Sequence, residues 1–263
     1  MKTDDMDAET QAELQRFQTA LEAARRVGMT VPFWWRDDDA VEVTPQLEEL
    51  LALREAAGVP LALAVIPKFA QPELIERIRR SGSVSVLQHG WAHEKHSPAG
   101  EKASEFGESR SLDASLADLT AGYERLAPMA GEPFLPVLTP PWNRIGEAAR
   151  AARHQAGLPG LSVFGPTNGE AHVCNTHFDV IAWKTTRGFI GQKKAFHLLA
   201  NEIERRVDNS GEEPPEPIGI LTHHLVHDAE TSAFLQHLLE ILNGQPHVSW
   251  PPIRGLFALE RTV

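Results

Sequence analysis

Four short stretches carry side chains that could do hydrolytic chemistry: Trp35-Arg36-Asp37-Asp38-Asp39, His89-Gly90-Trp91-Ala92-His93, Thr139-Pro140-Pro141-Trp142 and Leu221-Thr222-His223-His224. An acidic triplet, two histidines four apart and a late histidine are the parts of a mononuclear metal hydrolase. A divalent ion takes one carboxylate and two imidazoles and keeps coordination positions open. A neighbouring carboxylate can accept a proton from the attacking water, and a separate histidine can give one to a leaving amine. Each part alone is weak. With 12 His in 263 residues, chance supplies roughly half a pair at that spacing, and His223 and His227 form a second such pair. Three consecutive Asp read equally well as a solvated loop, and Pro-Pro-Trp as a rigid turn. The joint occurrence, in order, carries the reading.

These residues are nearly 190 positions apart in sequence, so the elements must bring them together. Leu14, Phe17, Leu21 and Ala24 give residues 8–27 a helical face ahead of the first strand. Strands are expected at 29–36, 59–66, 84–87, 134–138, 161–164, 180–183 and 218–221. Helices are expected from Thr44-Pro45 to Gly58, and at 71–80, 113–130, 147–155, 193–207 and 231–242. Residues 94–110 and 165–178 read as long irregular stretches, and Pro214, Pro215 and Pro217 mark a loop. About seven strand–helix units imply a parallel sheet that closes into a barrel. Asp37–Asp39, His89, Thr139–Trp142 and His223 each follow a strand, at the rim where α/β barrels carry their active sites.

In order and chemistry the stretches resemble the motifs of the polysaccharide deacetylase family, the NodB homology domain of the carbohydrate esterase family 4 type, with this chain a divergent member. The resemblance implies a distorted (β/α)7 barrel with an extra N-terminal helix: residues 1–28 as a helical extension and 29–263 as a single barrel domain. It implies a metal-dependent hydrolase that removes acetyl from an N-acetylated sugar or carrier-linked glycan precursor. Asp37 would be the base. Asp38, His89 and His93 would hold one divalent ion, zinc first, with iron, cobalt, nickel or manganese as alternatives. Asp39 stands where the family has Gly, so a register shifted by one, with Asp38 as base and Asp39 as ligand, stays open. His223 would be the acid, with His224 and His227 as competitors. Trp142, Pro141 and Trp91 would wall the sugar site. Asp179, four residues before Trp183, weakly matches the family's Asp that holds the catalytic His. There are two departures. Thr139 replaces the Arg that orients the base, leaving Arg36 or Arg144 to substitute, and Gly90 replaces a Ser or Thr. The same residues also admit a hydrolase of a non-sugar amide, or a glycan-binding member without turnover.

The formal net charge of −11 argues against a nucleic-acid partner. Cys174 is the single cysteine, so no intrachain disulfide forms. The start, Met1-Lys2-Thr3-Asp4-Asp5, lacks a basic and apolar leader, and no apolar run is long enough to span a membrane. A cytoplasmic enzyme is expected, with a small-molecule or short-saccharide substrate in a pocket narrowed by the two irregular stretches. Oligomeric state is not readable.

Overall fold

The computed structural model describes residues 6–209 and 215–259. The leader reading of residues 1–5 and the placement of Pro214 lie outside them. One parallel sheet contains β1 (Val31–Ala40), β2 (Leu61–Val65), β3 (Val84–His89), β4 (Phe134–Thr139), β5 (Gly160–Leu161), β6 (Phe178–Asp179), β7 (Ile218–Thr222) and β8 (Val248–Ser249). Its order is β5-β4-β3-β2-β1-β7-β6, with β8 added to β1. Parallel bridges join Leu161 to Val173 and Phe164 to Thr176. The chain after β5 therefore pairs with the chain that leads into β6, and the curled sheet closes as a distorted (β/α)7 barrel.

The helices are α1 (Ala8–Arg26), α2 (Pro45–Ala57), α3 (Pro72–Ser81), α4 (Leu112–Ala130), α5 (Glu147–Ala152), α6 (Gln192–Asp208), α7 (Ala229–Asn243) and α8 (Ile253–Leu256). Their ends follow from local chemistry. Thr44 caps α2 by accepting from Leu47 N–H at 3.1 Å, and Gly58 ends it in the left-handed region at φ 67°. Asp228 caps α7 through Thr231 N–H at 2.7 Å. The α1 helix packs on α6, with Phe17 and Phe196 ring centroids 5.7 Å apart. Among the described residues, no helix is long and apolar enough to cross a membrane.

Strand alternation divides the interior in two. Phe33 and Trp35 of β1 point into the layer between sheet and helices. Trp34 points into the barrel, among Ala62, Ala64, Leu87, Leu135, Val137 and Cys174. Small residues on β2 leave room for the indole, which donates to the Asn175 carbonyl at 3.0 Å. Ile253 and Phe257 join this inner cluster and close the barrel floor.

Several segments depart from the sequence reading: β1 runs on through Asp37–Asp39 to Ala40, and the strand expected at 161–164 is only Gly160–Leu161. Residues 180–183 are not a strand. The Asp179 carboxylate turns back onto Ile181 N–H at 2.9 Å, and Ile181 bridges antiparallel to Phe189, so a hairpin forms. Its start reads as strand because Val180 and Ile181 are buried. The helix expected to residue 155 stops at Ala152 and continues as a tight 3-10 turn over Arg153–Ala156. β8 and α8 were not anticipated, being only two and four residues long.

Candidate metal centre and active site

The end of β1 decides the geometry. Opposite β2, Asp37 pairs with Leu63 but Ala40 pairs with Val65, so β1 carries one extra residue there. Asp39 sits in this bulge at φ 74°, a left-handed conformation uncommon outside glycine. Simple alternation would aim Asp37 and Asp39 the same way. The bulge instead sends the three carboxylates to three places.

Asp37 points outward with Phe33 and Trp35 and is fully buried. Its carboxylate accepts from Thr222 Oγ1 at 2.6 Å, His224 N–H at 2.9 Å and His224 Nδ1 at 2.5 Å. Burial alone would raise its pKa; the charge of His224 and these hydrogen bonds outweigh that and hold it below the ordinary range. The same pairing raises His224 against the opposing effect of burial. Asp37 therefore ties β1 to β7 and does not face the cavity.

Asp38 points into the barrel mouth. Arg36, also fully buried, grips it with both arms of its fork, Nε to Oδ1 at 2.9 Å and Nη2 to Oδ2 at 3.0 Å. The remaining guanidinium contacts go to Ser162 Oγ and Asn143 Oδ1, each at 2.6 Å. Arg36, not Arg144, is the cation on this carboxylate; Arg144 donates to the Ala103 carbonyl at 2.8 Å.

Asp39 turns to the histidines. Its Oδ1 lies 3.0 Å from His89 Nε2 and 3.4 Å from His93 Nε2. Asp39, His89 and His93 each offer a ligand atom within 4.8 Å of the others. Asp39, not Asp38, is the carboxylate beside the two histidines, the arrangement that the register shifted by one describes, and Asp38 is engaged by Arg36. The donor set fits a divalent ion. His89 Nδ1 lies 2.9 Å from the Thr139 carbonyl, which can only accept, so Nε2 is the atom turned to Asp39. The carbonyl takes the proton on Nδ1, which leaves Nε2 as the atom that can face a cation beside Asp39. The His89 pKa lies above the usual value, because the charge of Asp38 and the bond to Asp39 outweigh burial. Burial would raise Asp39, but His89, His223 and His93 hold its carboxyl far below the ordinary range. His93 is lowered by burial and by His89, which favours the neutral, ligating form.

The loop carrying His93 rests on Glu105, a residue the sequence reading missed. Glu105 is fully buried, and its carboxylate accepts from the N–H groups of Ala92 at 2.8 Å and Trp91 at 3.1 Å. A Cβ at Gly90 would fall 2.0 Å from Glu105 Oε2 and 2.6 Å from Pro141 Cδ, and Gly90 has φ +60°. The departure from Ser or Thr at position 90 thus makes room for the carboxylate. Glu105→Ala leaves these buried N–H groups unpaired. It is expected to cost about 3 kcal/mol of stability and to weaken metal binding about 10- to 100-fold, read by denaturant unfolding and metal titration.

The acid candidate closes the ring. His223 Nε2 lies 4.0 Å from Asp38 Oδ2, and Trp183 meets its ring edge-on at 4.6 Å. Its Nδ1 is buried without a hydrogen-bond partner among the described residues. Asp179 makes no hydrogen bond to it among the described residues; its oxygens accept from Ile181 N–H and from Trp183 Nε1, the latter at 2.8 Å. Burial raises the Asp179 pKa against the charge of His223. His224 and His227 do not line the cavity. That cavity, about 540 Å³, is lined by Asp38, Asp39, His89, His93, Trp142 and His223, by Phe164 and Trp183, and by Asn143, Asp179, Arg144, Lys184 and Arg187. Trp142, at φ 57°, packs on His93 with ring centroids 4.3 Å apart. Pro141 and Trp91, expected as walls, lie behind the site: Pro141 under Gly90, and Trp91 against the core. Neither long irregular stretch lines the cavity.

The four stretches and Asp179 thus meet at the C-terminal rim of one parallel barrel, and solved structures share this architecture. A proposed polysaccharide deacetylase from Mycobacterium smegmatis superposes with TM-score 0.61 at 18% identity, covering 88% of this chain and 90% of its own. A family 4 carbohydrate esterase from Streptomyces lividans in complex with acetate gives TM-score 0.54 at 13% identity, covering 84% and 91%. The chain has the fold of the family 4 carbohydrate esterases. A family 4 acetyl xylan esterase from Clostridium thermocellum in complex with a cobalt ion also gives TM-score 0.54, at 12% identity, covering 86% and 90%. No family model and no curated protein sequence matches the chain. At these identities the likeness is one of fold, and the residues of the site must carry the rest.

Proposed function

We propose that this protein is a divalent-metal-dependent hydrolase that removes the acetyl group from an N-acetylated sugar or a carrier-linked glycan precursor. The observation that carries this reading is the convergence of Asp39, His89 and His93, flanked by Asp38 on one side and His223 on the other, in one cavity at the barrel rim. A divalent ion on those three ligands supplies a water of lowered pKa and polarises the amide carbonyl. The cobalt ion in the Clostridium thermocellum neighbour and the acetate in the Streptomyces lividans neighbour support both parts of the reading.

In this mechanism Asp38 takes the proton of the attacking water. Arg36 fixes the direction of its lone pairs by binding both carboxylate oxygens. His223 gives a proton from Nε2 to the leaving nitrogen. Trp183 fixes its ring from the side, and Asp179 supplies the nearby negative charge. Trp142 and Phe164 offer flat apolar surfaces to a sugar face, with Phe164 48% exposed. The cavity is the size of a small-molecule site, which favours a terminal sugar or short saccharide over a long polymer.

Purified protein loaded with zinc or cobalt is expected to release acetate from N-acetyl saccharides, to lose that activity on chelation and to regain it when the ion is returned. Metal bound stoichiometrically with no acetate from any N-acetyl sugar, but turnover of a simpler amide, would move the reaction to a non-sugar substrate.

A further inference from the structure

Three cations line the cavity of a chain that is acidic overall. The sequence has 36 Asp and Glu against 25 Lys and Arg, yet Arg144, Lys184 and Arg187 line the cavity outside the ligand cluster. Among the described residues none of the three has a carboxylate partner. Arg144 reaches the Ala103 carbonyl, Arg187 lies over the Trp183 ring at 5.8 Å, and Lys184 makes no hydrogen bond or ion pair. On the α1–α6 face, by contrast, Arg16 and Lys193 are matched to Glu204 and Glu9.

Lys184 and Arg187 sit on a built hairpin rather than a solvated run. Ile181 bridges Phe189, and Ala182 N–H donates to the Gly188 carbonyl at 2.8 Å. Arg187 N–H donates to the Ala182 carbonyl at 3.0 Å, and Arg187 is held at φ 58°, a conformation disfavoured outside glycine. The turn fixes its guanidinium against Trp183, whose edge contacts His223. A cation therefore stands one ring away from the acid. Of the carboxylates lining the cavity, Asp38 is matched by Arg36 and Asp39 belongs to the ligand set, which leaves Asp179 alone against three cations.

We propose that the substrate carries an anionic group, phosphate or carboxylate, on or next to the N-acetylated unit, bound by Lys184 and Arg187 from the hairpin and by Arg144 from the loop after β4. This names the substrate class of the deacetylase reading and rests on it. Charge-assisted hydrogen bonds at a cavity mouth discriminate an anion from its neutral analogue by about tenfold, and part of that is lost to salt.

The test compares kcat/KM of the zinc-loaded protein for N-acetylglucosamine, its 1-phosphate, its 6-phosphate and N-acetylmuramic acid, at low and high salt. At least one anionic probe is expected to exceed the neutral sugar about tenfold, with the advantage shrinking as salt rises. In the Lys184→Ala, Arg187→Ala double variant the ratio falls toward one. A parallel arm needs no chemistry: calorimetry of glucosamine 1-phosphate against glucosamine on the metal-free protein, with the phosphate expected to bind tighter. Equal kcat/KM and equal binding for neutral and anionic probes would overturn the proposal. Absence of acetate from every probe counts against the deacetylase reading instead, and the binding arm then still decides whether the mouth selects anions.

Discussion

Asp38→Asn is expected to leave metal affinity within a few-fold of the parent and to lower kcat for acetate release by roughly 10²- to 10⁴-fold. The asparagine keeps the size of the side chain and can still accept from Arg36 Nε through one oxygen. It cannot take up a proton, and its amide group faces the other arm of the guanidinium, which also donates. The ligand set is untouched, because Asp38 gives its oxygens to Arg36 while Asp39 faces the histidines. Single-turnover acetate release with metal analysis on the same preparation checks both halves. Parental kcat in this variant would remove Asp38 from the mechanism.

Arg36→Met is expected to lower the unfolding free energy by about 3–5 kcal/mol, the range for removing one partner of a buried ion pair. Arg36 has no exposed surface and serves Asp38, Ser162 and Asn143 at once. Methionine fills much of the volume and leaves a buried carboxylate and two polar partners unmatched. Arg36→Lys restores the charge without the planar fork. It should recover part of the stability and little of the turnover, which separates positioning of the base from simple support of the fold. Denaturant midpoints and kcat for the two variants provide the comparison; equal recovery of both quantities would reduce Arg36 to a structural role.

The barrel was legible because its signals are redundant. Capped helices alternate with short apolar runs, and each polar motif follows a run, so the rim could be located without knowing any contact. The histidines at 89, 93 and 223 were legible for the same reason. The acidic triplet was not, and the cause is local. Phe33, Trp34 and Trp35 are apolar on both faces of β1, since one face meets the helix layer and the other fills the barrel. The pattern therefore gives no inward side from which to count. The bulge at Asp39 then breaks alternation altogether, and a bulge formed by an Asp has no sequence signal of the kind a glycine provides. Arg36 could be named as a substitute for the residue missing at Thr139, but its reach to Asn143 and Ser162 depends on loops far apart in sequence. Glu105 was hidden in a polar stretch read as irregular. Its one trace was the unexplained glycine at position 90, whose reason is a steric fact about a side chain fifteen residues away.

The central claim is that the three adjacent carboxylates have three separate jobs, with Asp39 on the metal, Asp38 on the proton and Asp37 in the core. Isothermal titration of zinc or cobalt into Asp37→Asn, Asp38→Asn and Asp39→Asn, each checked for folding, tests it most directly. The account predicts that Asp39→Asn alone loses metal affinity, by about 100-fold or more, while Asp38→Asn binds close to the parent and Asp37→Asn, where folded, does the same. Parental affinity in Asp39→Asn with a collapse in Asp38→Asn would contradict it and return the ligand to Asp38.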